Sequence, residues 1–96
     1  MVRRLPRRVR IGCGYIIDVA LVSQTTLRDV LEADDGRFDG AWENLLGEPE
    51  GDKLGIAGRI YIYNALPSRG KRRAYFHELK HAITDIADWN LDKDTP

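Results

Sequence analysis

The residues with the plainest chemistry are His77, Glu78 and His81, in the run His77-Glu78-Leu79-Lys80-His81. On a helix turning about 100° per residue, the two imidazoles fall about 40° apart on one face and about 6 Å apart along the axis. Nitrogens on adjacent turns can converge on one ion at about 2.0–2.1 Å each. Glu78 points about 100° away from His77, beside such an ion rather than onto it. A carboxylate there can take a proton from a water the ion activates and later pass it to a leaving amine. Zinc brings the pKa of such a water from about 15.7 to about 7. The spacing therefore predicts a zinc site held by His77 and His81, with Glu78 as general base. The plain alternative is an amphipathic helix that carries the chain's two histidines on its surface.

Zinc hydrolases use three protein ligands and keep one position open. Asp85 and Asp88 share the histidine side of the helix and are the candidates for the third. At 1.5 Å per residue, Asp85 stands about 9 Å along the axis from the metal level and Asp88 about 13 Å. Asp85 is better placed to accept the ring N–H that the metal does not use. Ligation by Asp88, Asp92 or Asp94 requires the helix to end near Thr84 and the chain to fold back. Glu43 and other distant glutamates stay open as ligands.

The elements that must position this motif are readable from periodicity. Arg8 to Ile11 and Tyr15 to Val22 read as two strands about a Gly12-Cys13-Gly14 turn. Thr26 and Asp29 stand at capping-box spacing before a helix with Leu27, Val30 and Leu31 on its apolar stripe, and Gly36 reads as its stop. Residues 34 to 58 hold six of the nine glycines and read as a turn-rich connector with a pairing segment around Phe38 to Trp42. Arg59 to Asn64 is the clearest strand, with Ile60 and Ile62 on one face and Arg59, Tyr61 and Tyr63 on the other. From about Lys71 the period turns helical. Phe76, Leu79, Ile83 and Ile86 form a stripe expected to face the core, which turns the histidines outward to a cleft.

Composition sets the frame. A chain of 96 residues, 43% apolar and 31% charged, fits one globular domain with a modest core. Its 15 basic and 15 acidic residues cancel, but they are banded: five arginines lie within residues 1–10, and nine acids face Arg37 alone in residues 29–52. Such banding favours self-complementary surfaces over a nucleic-acid footprint. Residues 1–7 read as a basic arm and 8–96 as the domain. Cys13, the single cysteine, excludes an internal disulfide and a Cys-rich zinc cage. It reads as a small structural residue. Asp18 interrupts the apolar run 11–23, which is too short for a bilayer, so the expectation is a cytoplasmic protein with no membrane contact.

Strand, glycine-rich connector, the strand "RIYIYN", loop and then "RRAYFHELKHAITD" resemble the small H-E-x-x-H proteins of phages and mobile elements related to the ImmA/IrrE-like minimal gluzincin metallopeptidases. The specific part of the likeness is Gly58 to Asp85. The resemblance implies a zincin-like α+β domain, a small twisted antiparallel sheet packed on the motif helix, in which His77 and His81 bind zinc and Glu78 is the catalytic base. It also implies that the preceding strand lines the substrate cleft, with Tyr61 and Tyr63 at the peptide. Family members take the third ligand from an acid on a further helix. Here Asp85 or Asp88 substitutes, another subunit contributes it, or the site is incomplete. The metzincin pattern does not apply, since Thr84 stands where it needs glycine.

Two functions follow. The first is a zinc-dependent metallopeptidase, in which Arg59 to Asn64 offers a strand edge to an extended peptide; the sequence assigns no oxyanion-stabilising residue, with Tyr61, Tyr63 and Arg73 as candidates. The second is a non-catalytic phage-type accessory or binding module that keeps the fold and holds nucleic acid or an acidic protein through Arg3 to Arg10 and Lys71 to Arg73.

Overall fold

The computed structural model describes residues 5–94, with the side chains of Cys13, Lys93 and Asp94 left out; most of the basic arm and the reading of Cys13 lie outside the described residues. The chain runs β1 (Arg8–Ile11), a 3-10 turn (Gly12–Gly14), β2 (Tyr15–Val22), α1 (Gln24–Leu31), β3 (Gly40–Asn44), α2 (Pro49–Leu54), β4 (Gly58–Tyr63) and α3 (Ser68–Asp94). It is an α+β fold with one four-stranded sheet in the order β1-β2-β4-β3.

The sheet is mixed. β1 and β2 form the expected antiparallel hairpin, Arg8 opposite Asp18 and Ile11 opposite Tyr15, and Gly14 supplies the left-handed residue (φ 82°) that closes it. β4, however, pairs with β2 in parallel, Ile17 opposite Gly58 through Val22 opposite Tyr63. This corrects the all-antiparallel expectation. The physical reason is the length of the connection: residues 23–57 carry α1, β3 and α2, enough chain to return to the start of β2 and run beside it, as a parallel pair requires. β3 then docks antiparallel on the far side of β4, Gly40 opposite Ile62 and Asn44 opposite Gly58.

Local chemistry explains the shorter elements. The N-cap of α1 is Ser23, whose hydroxyl accepts from the Thr26 N–H at 3.3 Å, so the helix starts earlier than the Thr26–Asp29 spacing indicates. It ends at Glu32, held left-handed at φ 54°, before Gly36. The Gln24 amide then pins the following loop by bonding both backbone groups of Phe38, donating to its carbonyl at 2.7 Å and accepting its N–H at 2.9 Å. α2, within the stretch expected to be connector alone, opens on Pro49 and closes on Gly55 at φ 71°.

α3 packs across β3 and β4. Ile17, Ile60 and Ile62 are fully buried beneath it, with Ala74, Tyr75, Ala82 and Ile86 from the helix. Burying an isoleucine contributes about 1.5–3 kcal/mol, so these three anchor the packing. Tyr15 donates to Asn90 Oδ1 at 2.7 Å and fixes the far part of the helix to β2. On the sheet's other face Ala41 is buried, and α1 contacts β3 and β4 with Leu27 buried outside the core under α3. There Arg8, Asp18, Arg59 and Glu43 stand in register across all four strands as a row of alternating charge. Among the described residues no helix is long and apolar enough to cross a membrane.

The expected stripe of α3 is displaced. Phe76 and Ile83 are 54% and 47% exposed, whereas Ala74, Glu78, Ala82 and Ile86 form the buried ridge, each four residues from the last. Two alanines let the helix approach the sheet closely. That places the motif glutamate, not Phe76, against it.

Candidate metal centre

The groups that converge on α3 are His77, Glu78 and His81, whose ligand atoms all lie within 4.8 Å of one another. Nε2 of His77 and Nε2 of His81 are 3.3 Å apart, and the rings meet edge to face with centroids 4.9 Å apart. Two ligands of a tetrahedral ion at about 2.0–2.1 Å stand about 3.3–3.4 Å from each other. The separation of the two nitrogens matches one edge of such a tetrahedron and is also within hydrogen-bond distance for one ring N–H donating to the other ring. Both rings are exposed, as the sequence reading expects.

Glu78 differs from that expectation. It is 8% exposed, facing β3, with its Oε2 4.0 Å from His77 Nε2. Burial pushes its carboxyl above the ordinary glutamate range, and the neighbouring His77 and His81 partly offset this. Gly40 makes the room. A Cβ at Gly40 would stand 2.9 Å from the Tyr61 carbonyl oxygen and 3.2 Å from Glu78 Cγ. Gly40 is the site residue that sequence reasoning missed. Its only signal was a glycine inside a strand, the mark of close approach by another group.

Asp85 lies outside the converging group. Its Oδ2 accepts from Trp42 Nε1 at 2.7 Å and from Asn44 Nδ2 at 3.4 Å, a tie from α3 to β3. Asp88 is exposed one turn further on. Tyr61 and Tyr63 fall on the sheet face turned away from α3. The Tyr61 hydroxyl donates to Glu43 Oε1 at 2.8 Å, and burial raises its pKa. Neither tyrosine reaches the histidines.

The strand edge also moves. β4 is flanked on both sides, so it has no edge to offer a peptide. β3 has one. Asp39 takes the Tyr63 N–H and Leu45 donates to Ala57, so the odd residues of β3 bond to β4. By the two-residue period Gly40, Trp42 and Asn44 turn their N–H and C=O groups outward, and Gly40 does so directly beside Glu78. No family model, no curated protein and no solved structure matches this chain.

Proposed function

We propose that the protein is a zinc-dependent metallopeptidase of zincin type. The observation that carries the reading is the 3.3 Å separation of the two histidine nitrogens beside a buried glutamate. His77 and His81 are the protein's nitrogen ligands to the ion; imidazole pairs at tetrahedral spacing suit zinc over magnesium or calcium, which favour oxygen. When bound, the ion polarises a water and brings its pKa towards about 7.

Glu78 would accept a proton from the water that attacks the scissile carbonyl and would then deliver it to the departing amine. Its raised pKa suits this task, since burial makes the carboxylate a better proton acceptor than an exposed glutamate. The substrate lies extended along β3, its main chain bonded to Gly40 and Trp42 rather than to β4. Asp85 holds Trp42, and through it the strand, at a fixed height against α3.

The test is zinc-dependent cleavage of a denatured protein mixture, with terminal amines followed by labelling. Glu78→Gln should abolish cleavage while zinc stays bound. Cleavage that persists in that variant would refute the assignment of the base.

A further inference from the structure

A sizeable groove lies away from the histidines. It opens between Leu5–Arg8, the end of β2 and the first turns of α3 with a volume of ≈ 910 Å³, towards the upper end of the range of about 300–1,000 Å³ typical of ligand sites. Its floor is apolar, made by Leu5, Val19 and Leu21 among others. Its rim is cationic: Arg7, Arg8, Arg59, Lys71 and Arg72 line it against a single acid, Asp18.

Two of those cations are already satisfied. Arg8 pairs with Asp18 at 2.9 Å, and Arg59 with Glu50 at 3.0 Å and Glu43 at 3.7 Å. Among the described residues Arg7, Lys71 and Arg72 have no ion-pair partner. No acid stands in the first turn of α3 to balance the last two, so they add to the positive end of the helix dipole instead of opposing it.

The backbone supplies a second, directional feature. Val19 gives its N–H to the Arg7 carbonyl at 2.8 Å, so the odd residues of β2 face β1. Leu21, two residues on, turns its N–H and C=O the same way. The β1–β2 register ends at Arg8 opposite Asp18, and among the described residues no strand pairs with Leu21 on that side. Among the described residues the groove therefore brings together an unpaired strand position at Leu21, apolar lining side chains and cations without an ion-pair partner.

We propose that this groove binds an extended acidic peptide, which adds its main chain to β2 at Leu21, sets an apolar side chain on the floor and places carboxylates on Arg7, Lys71 and Arg72. A peptide fits better than a nucleic acid strand. No aromatic side chain among the described residues lines the groove, so bases have no stacking platform, while its apolar lining suits an apolar side chain better than a sugar. The site is separate from the metal centre and does not depend on the metallopeptidase reading.

The probe is a fluorescein-labelled hexapeptide of alternating leucine and glutamate, followed by anisotropy on the metal-free full chain. Three comparison probes carry glutamine for glutamate, N-methyl groups at alternate amides, or a labelled oligothymidylate. The wild type and His77→Ala/His81→Ala should bind the glutamate peptide equally. Binding should weaken at least tenfold with glutamine, with N-methylation, and in Lys71→Gln/Arg72→Gln. That last variant should melt at or above the wild-type temperature, since it removes positive charge from the positive end of the helix dipole. Equal binding of the glutamate and glutamine peptides, undiminished binding by the double variant, no binding at all, or tighter binding of the oligothymidylate would each overturn the proposal.

Discussion

Gly40→Ala puts the packing of Glu78 against β3 to a quantitative test. A methyl group there would stand 2.9 Å from the Tyr61 carbonyl oxygen, 3.2 Å from Glu78 Cγ and 3.4 Å from Ile62 Cδ1. The first contact is with backbone inside a paired ladder and can only be relieved by moving β3 from β4. The second pushes on the glutamate stem. Overpacking of this kind costs about 1–3 kcal/mol. Alanine recovers at most about 0.4–1 kcal/mol by restricting the unfolded chain; because the clash is with paired backbone, the upper part of the cost applies and a net loss of about 1–2.5 kcal/mol is expected. Urea denaturation measures it, provided the dependence on urea is unchanged. The share borne by Glu78 follows from a double-mutant cycle with Glu78→Ala, which removes Cγ: the pair should be less destabilised than the sum by about 0.5 kcal/mol or more. Zinc affinity should hardly change, because neither histidine contacts Gly40. A Gly40→Ala protein as stable as wild type, or strictly additive with Glu78→Ala, would refute the placement of Glu78.

Other perturbations separate the roles of the neighbouring residues. Asp85→Ala leaves the Trp42 indole without its charged acceptor and should cost about 1.5–3 kcal/mol by denaturation, with zinc affinity by calorimetry within about threefold of wild type; a tenfold or greater loss would make Asp85 part of the metal's shell. For Glu78 in metal-free protein the folded pKa is raised, so its contribution to stability is full below the unfolded value and is lost as pH rises through the folded one. Glu78→Gln should accordingly be more stable than wild type at neutral pH, and the advantage should vanish on acidification when melting temperatures are compared across pH. Tyr61→Phe removes one hydrogen bond and should cost about 1 kcal/mol without changing zinc binding or any cleavage, because the ring lies on the other face of the sheet.

Sequence periodicity located the strands well because alternation has a single cause. Ile60 and Ile62 point one way and Tyr61 the other, so β4 was legible almost to the residue, as was the β1–β2 hairpin with its glycines. The motif helix was legible in place and in the outward face of its histidines, but only half of its expected stripe, Leu79 and Ile86, packs on the core. Large apolar residues at 76, 79, 83 and 86 gave the stronger signal, yet close helix–sheet contact needs small ones, and Ala74 and Ala82 provide it. Glu78 on the buried ridge contradicts any hydrophobic pattern, and such conflicts between local rule and global structure concentrate where chemistry is done. The parallel pairing of β2 with β4 left no local signature, since it depends on where a 35-residue connection returns the chain. β3 as the free edge followed from the same topology and could not be read earlier.

The proposed function rests on the holding of a metal ion by His77 and His81. It is tested most directly by elemental mass spectrometry of tag-free protein after zinc supply and desalting, beside the His77→Ala/His81→Ala variant. The account predicts about one zinc per chain, lost in the variant while the fold is retained by circular dichroism. Zinc absent from the wild type, or present equally in the variant, would contradict it.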